Sequence, residues 1–312
     1  MADELVRALI RGGTVRVVAA VTSDLLREGA RRHEAHGDTV LALGRVSAAA
    51  LLLATHGKDQ QRVTLQMHGD GPLGSVTADA LASGGVRMYA HAPVAPMNVE
   101  AAGSVPGVDA ARPTTARVLG SRGTLNVIRD LGMRERYRGQ SSMVSGEIDE
   151  DVANYLRSSE QIDSAVGCDV VLLPDGTARA AGLLVQAMPG VAADVKPFLA
   201  EVQARLSAGA LYRALAAGPP GAASLAIAVL GPDEPLDVID RRTPRFHCPC
   251  SRERVTGMLA MLGQKELAQM MAEDRTAEIV CNFCRERYAI PHEELMRIAG
   301  ALTTAAPTRG EA

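Results

Sequence analysis

The sequence predicts an α+β protein: an N-terminal mixed α/β domain with antiparallel sheet, a helical linker and a small C-terminal zinc-binding domain. Three observations carry this. Between Gln61 and His91, three strand-like runs follow one another across short glycine turns, the pattern of an antiparallel meander. From Pro189 to Arg245, prolines and small residues break the chain repeatedly. Four of the five cysteines then fall in two tight pairs, Cys248-Pro249-Cys250 and Cys281-Asn282-Phe283-Cys284, with Ser251 to Val280 between them.

Residues 1–190 read as one domain. Thr14 to Val21 is a β-branched run, hence a strand. Thr22-Ser23-Asp24 is a helix N-cap signal, and Leu25 to Ala35 has helical spacing. Asp38 to Thr55 is a second helix, apolar nearly all round and therefore expected in the core. Gln61–His68, Ser75–Ala80 and Val86–His91 form the meander. Its first connection, Gly69-Asp70-Gly71-Pro72-Leu73-Gly74, opens no helix and has no Lys-Ser/Thr partner, so it reads as a β-turn, not a phosphate cradle. Ala92 to Thr115 reads as an irregular loop. Gly123–Asp130 and Glu135–Val144 return to strand character, and Ile148–Ser159 is a helix with Val152, Tyr155 and Leu156 on one face. Ser164–Leu173 and Thr177–Met188 make a hairpin about Pro174-Asp175-Gly176.

Residues 191–245 read as a linker. Val195–Leu206 and Ala210–Ala217 are modest helices, and Leu225–Leu230 is a short apolar run. The segment has little of its own to bury, so it is expected to fold by docking and to be only marginally stable. Residues 246–300 form the cysteine-bearing domain, and residues 301–312 a disordered tail.

Composition excludes several functions. Hydrophobic residues make up 47% of the 312, enough for a sizeable core, and net charge is −3. Residues 241–312 carry eleven Lys/Arg against nine Asp/Glu, too even a balance for a surface that tracks phosphates. No nucleic-acid partner is expected. No run approaches the roughly 18 apolar residues of a membrane span, and MADELVRALIRGG lacks an apolar signal core. A cytoplasmic protein without a membrane partner is expected. Thiols stay reduced in that compartment, where clustered cysteines serve metal binding or redox chemistry.

Four thiols in two close pairs fit a tetrahedral zinc site. Each pair is also close enough to close on itself, so the cluster reads as a metal clamp, a redox couple, or one that becomes the other. Val255, Met258, Leu259 and Leu262 share a helix face, as do Leu267, Met270 and Met271, so a helical hairpin can return the chain to Cys281. Phe246 and Phe283 are expected to build a miniature core that the metal completes. Arg245, Arg252, Arg254, Arg285 and Arg287 are expected to favour thiolate over thiol. His247 is a weaker ligand candidate, since four cysteines already fill a tetrahedron. His33-Glu34-Ala35-His36 is one residue short of a zinc-protease motif and reads as solvated helix-end histidines. Cys168, alone in an apolar strand, reads as a small buried hydrophobe.

Phe246-His247-Cys248-Pro249-Cys250-Ser251-Arg252-Glu253-Arg254-Val255, then Leu262-Gly263, Glu266-Leu267, Cys281-Asn282-Phe283-Cys284 and Tyr288, closely resemble the 33-kDa heat-shock chaperone family. Gly69 to Gly74, Gly85-Val86-Arg87-Met88-Tyr89, Gly146-Glu147-Ile148 and Ser158-Ser159-Glu160-Gln161 extend the resemblance across nearly the whole chain. The resemblance implies a redox-regulated holdase rather than an enzyme. One zinc per chain is expected on Cys248, Cys250, Cys281 and Cys284 in a reduced, inactive form. Oxidation is expected to join Cys248 to Cys250 and Cys281 to Cys284, release zinc, unfold the switch domain and linker, and expose a surface for unfolding client proteins, with a homodimer forming on activation. No ATP motif is present, as suits holding without driven cycling.

Two other readings remain. A thiol-disulfide oxidoreductase would use Cys281-x-x-Cys284, but that motif usually opens a helix beside a βαβ unit. A zinc-containing nucleic-acid regulator would need a basic stripe or stacking aromatics, and the chain has three Phe and no Trp. Zinc hydrolysis fails because four thiolates leave no open position for water.

Overall fold

Strand β1 (Glu4–Ile10) pairs antiparallel with β2 (Val15–Val21), and helices α1 (Ser23–His33) and α2 (Gly37–Ala54) follow. The meander is β3 (Arg62–Gly69), β4 (Ser75–Leu81) and β5 (Gly85–Ala90). A short helix, α3 (Ala116–Leu119), precedes β6 (Gly123–Asp130), β7 (Tyr137–Ser142) and α4 (Ile148–Ser158). The hairpin β8 (Ser164–Leu172) and β9 (Ala178–Ala187) leads to α5 (Val195–Ser207), α6 (Ala210–Ala217) and α7 (Ala222–Leu230), and then to β10 (Asp237–Arg242) and β11 (Arg245–Phe246). This computed structural model describes residues 2–58, 60–92, 112–190, 195–218, 221–262, 264–272 and 276–305. The chain forms two compact units, Met1–His247 and Cys248–Ala312.

The larger unit holds two sheets, ordered β10-β1-β2-β9-β8 and β11-β5-β4-β3-β6-β7. Every pairing is antiparallel except β11 on β5. α2 lies between them, and its leucines and alanines join both sheets in one core with Val18, Val166, Leu65 and Val127. By length and composition α2 could cross a membrane, contrary to the sequence expectation, but 94% of it is buried inside the fold.

The first sheet is apolar on both faces. In β2, Val18 and Ala20 face α2, while Val17, Ala19 and Val21 belong to a second core. Strands buried on both faces read as continuous apolar runs, as TVRVVAAV does. The second face is covered by α5, α6 and α7, which contribute Phe198, Val202, Leu211, Leu215, Leu225 and Val229. The expectation that this segment has little to bury is therefore corrected: each helix turns an apolar face onto one sheet, and α7 is apolar at every position but Ser224. Helices of 13, 8 and 9 residues are marginal in isolation, so the sheet is what keeps them helical. Their ends are satisfied at long range. Arg179 donates to the carbonyls of Leu215 and Ala216, Arg205 to those of Val229 and Leu230, and Glu4 accepts from Ala222 N–H.

Inside α2, Arg45 is fully buried. It donates to Glu147 (2.5 Å), to the Pro113 carbonyl (2.6 Å) and to Asp169 (3.3 Å). Arg112 joins Asp149 and Asp169, so two guanidinium groups meet three carboxyls. Burial pushes the Asp169 carboxyl above its usual range, against the pull of Arg112 and Arg45. A buried charge is tolerated only with such pairing.

The Gly69–Gly74 connection is a turn between β3 and β4. Gly71 has to be glycine because a Cβ there would sit 2.4 Å from the Val118 carbonyl oxygen. The expected loop from Ala92 to Thr115 lies largely outside the described residues, at 93–111. Helix α10 (His292–Ala305) of the smaller unit runs past the point where the disordered tail was expected to begin, and residues 306–312 lie outside the described residues.

His56 accepts a hydrogen bond at Nε2 from Arg16, and burial first, then Arg16 and Arg129, hold its pKa down at about 3. A depressed histidine contributes stability that is full above the ordinary value of 6.5 and is lost as pH falls toward 3. Across that window the unfolded chain binds one more proton, a slope of roughly 1.4 kcal/mol per pH unit. Denaturant melts of His56→Gln are expected to show a shallower acid loss than the wild type between pH 6 and 4.

Candidate metal centre

In the smaller unit, α8 (Arg252–Leu262) and α9 (Gln264–Ala272) precede a hairpin of β12 (Ala277–Val280) and β13 (Arg287–Ile290), and α10 closes the chain. The second cysteine pair sits in the hairpin turn. Cys281 N–H donates to Glu286 C=O (2.9 Å) and Arg285 N–H to Cys281 C=O (2.8 Å), with Arg285 in the left-handed region at φ 61°. The first pair lies just ahead of α8, where Ser251 Oγ accepts from the Arg254 N–H and caps the helix.

The fold brings all four predicted cysteines together. Their sulfurs lie within 4.8 Å of one another. Cys250 and Cys284 are 3.2 Å apart and Cys248 and Cys281 3.8 Å apart, so the close contacts run across the two pairs. Four sulfurs at about 2.3 Å from one ion would sit roughly 3.8 Å from each other, so the cluster fits a tetrahedral metal. All four are free thiols. Burial pushes the Cys250 and Cys284 thiols up from their usual value, and neighbouring sulfurs add to the rise at Cys284. A bound cation is what would favour four thiolates here.

The surroundings differ from expectation in three respects. The arginine field is not what governs the thiols: Arg252 pairs with Glu294 (2.5 Å) and Arg287 with Glu278 (2.6 Å), and burial dominates. Phe246 does not build the small core. As part of β11 it pairs with Val86, packs on the core of the larger unit and lies under Arg32, 5.0 Å from its ring centre. The small core is instead Val255, Leu259, Leu267, Ile290 and Leu295. Of the stripe predicted on α8, Val255 and Leu259 are buried, while Met258 and Leu262 are exposed, because α9 and α10 both pack on the Val255–Leu259 side.

Tyr288 gains a role that spacing did not reveal. Its hydroxyl donates to Cys250 Sγ at 3.1 Å. Pairing in β13 with Ile279 places it there, and no local signal marks that contact. His247 belongs to the larger unit, where its N–H bonds the Val86 carbonyl, and it is not part of the cluster. His33 ends α1 and His36 precedes α2, with a left-handed Glu34 between them. The four cysteines are the only potential metal-holding group among the described residues. Cys168 is fully buried in β8, and desolvation pushes its thiol well above the usual value.

Comparison with known proteins decides the family. The family model described as "Hsp33 protein" matches residues 3–291. The chain belongs to the Hsp33 family. Among curated Hsp33 relatives, the 33 kDa chaperonin of Bacillus subtilis is 38% identical over 294 residues, covering 94% of this chain and 97% of that protein. The 33 kDa chaperonin of a Synechococcus strain is 37% identical, covering 96% and 91%. The crystal structure of the Thermotoga maritima 33 kDa chaperonin superposes with a TM-score of 0.81 at 26% identity, over 97% of this chain and all of that one.

Removing the Tyr288 hydroxyl deprives Cys250 of its donor. Such outer partners typically contribute about 10- to 100-fold in metal affinity. Tyr288→Phe is expected to lose metal to a competing chelator at about tenfold lower chelator concentration, with unchanged helix content by circular dichroism.

Proposed function

We propose that the protein is a redox-regulated, ATP-independent holdase that switches through its four cysteines. The observation that carries this is the four free thiols within 4.8 Å of one another in a chain of the Hsp33 family. The donor set is all sulfur, which favours zinc among the available metals. Cys248, Cys250, Cys281 and Cys284 would hold one zinc per chain in the reduced, inactive protein.

Oxidation joins Cys248 to Cys250 and Cys281 to Cys284. As each S–S bond forms, its two thiolates give up two electrons to one hydrogen peroxide, whose O–O bond breaks and which takes up two protons to leave as two waters. The two disulfides use all four thiolates, so no ligand remains for the ion. The five buried apolar side chains of its core among the described residues are a thin core for a unit of this size, and structural zinc supplies on the order of 10 kcal/mol to small modules. Loss of that contribution unfolds the switch unit and, through the chain leading into it, loosens residues 191–245. Apolar surface under α5 to α7 then becomes available to unfolding client proteins, and activated chains form homodimers. The protein works in the cytoplasm, binds stoichiometrically rather than catalytically, and needs neither nucleic acid nor membrane.

Peroxide at raised temperature is expected to release about one zinc per chain and to switch on suppression of client aggregation, and reductant is expected to reverse both. A metal-release dye and light scattering in one cuvette follow the two together. Cys281→Ser and Cys284→Ser chains that still require peroxide for activation would refute the switch assignment.

A further inference from the structure

β8 is a free edge of its five-stranded sheet. An unpaired edge exposes main-chain donors and acceptors to any passing strand, and proteins usually cover it. Here side chains cover it. Cys168 N–H donates to Asp149, and Arg112 donates to the Cys168 carbonyl, both within the buried ion network of α2 and α4. Val166 is covered differently. Its N–H donates to Gln203 Oε1 at 2.9 Å, and Gln203 Nε2 donates to its carbonyl at 3.4 Å. A glutamine amide has the same carbonyl and N–H groups as a peptide unit. By bonding both main-chain groups of Val166, Gln203 occupies the place of a partner strand.

Gln203 lies on α5, within the segment whose release the proposed function invokes. It also lines an open groove of about 470 Å³ between α4 and α5, beside Ser164 at the start of β8. Val144 at the groove is 58% exposed and Leu199 adds apolar wall, while Arg157, Lys196 and Asp163 mix both signs of charge.

We propose that the β8 edge around Ser164–Gly167 is a strand-addition site for an extended segment of an unfolding protein, masked in the resting chain by the Gln203 amide. This rests on the holdase reading and names how the client is held. Main-chain pairing is blind to sequence, as suits a partner with no fixed sequence. The mixed rim charge selects neither acidic nor basic segments. A second copy fits less well, because α4 packs on β8 and lies outside the released segment, so pairing two β8 edges would force two α4 helices together.

Val166→Pro tests this, since proline deletes the outward N–H and is tolerated on an edge strand whose N–H faces away from the ladder. The probe is a permanently unfolded, alkylated, fluorescently labelled protein, titrated against the peroxide-oxidised full chain. Val166→Pro is expected to weaken its binding about tenfold, and Gln203→Ala is expected to raise binding to the reduced chain several-fold. A photo-reactive benzoylphenylalanine replacing the exposed Arg157 is expected to crosslink the probe after oxidation only. Thermal melts of the reduced chains check folding, and if Val166→Pro is unfolded the Gln203→Ala titration and the crosslink decide. Val166→Pro binding within twofold of wild type, or crosslinks that join two copies instead of the probe, would overturn the edge site alone. An oxidised wild-type chain that binds no probe would overturn the holdase reading with it.

Discussion

Bringing four thiols within 4.8 Å of one another, three half-buried and Cys284 buried, in a unit with five buried apolar side chains in its core among the described residues is the constraint on which the rest depends. Sulfurs that close to one another resist ionisation when desolvated, as the raised Cys250 and Cys284 thiols show. A cation bound there would relieve that cost and at the same time tie the hairpin turn to the segment ahead of α8. Tyr288 donates a hydrogen bond to Cys250 Sγ, so the site extends one residue beyond its sulfurs.

The larger unit answers a different constraint. Its first sheet is apolar on both faces, and α2 covers only one of them. The other needs a second cover, which α5 to α7 provide. This makes the 191–245 segment neither a free linker nor an independent domain. It is helical because it is docked, and the sheet face beneath it is apolar because it is covered. Arg45 and Arg112 meanwhile fix the opposite side, tying α2 to α4 and β8 through the buried Asp149 and Asp169 and the largely buried Glu147.

Much of the architecture was legible where the hydrophobic period was strong. The meander, the hairpin about Pro174-Asp175-Gly176 and the boundaries of α4, α5 and α6 follow from spacing and turn residues alone. The elements that escaped notice have weak periods. β1 carries Glu4 and Arg7, and β10 reads DVIDRR, half exposed along its length; β1 is a strand because β2 and β10 pair with it, and β10 because β1 does. β12 and β13 are four residues each and exist through one hairpin. The buried Arg45 was hidden for the opposite reason. Within a helix otherwise apolar all round, one arginine carries no local sign that three acceptors await it from Pro113, Glu147 and Asp169.

The sequence by itself determined the donor set of the candidate site, because thiol chemistry and pair spacing are local properties, and it determined the family through motifs carried along nearly the whole chain. Tertiary structure alone decided what surrounds those sulfurs. It moved Phe246 into the larger unit by pairing it with Val86, turned Arg287 toward Glu278 and Arg252 toward Glu294, and brought Tyr288 to Cys250. It also decided that Gln203 should close the edge of β8, 37 positions away. Residue type and spacing record what a side chain can do; which partner it meets depends on packing between elements distant in the chain.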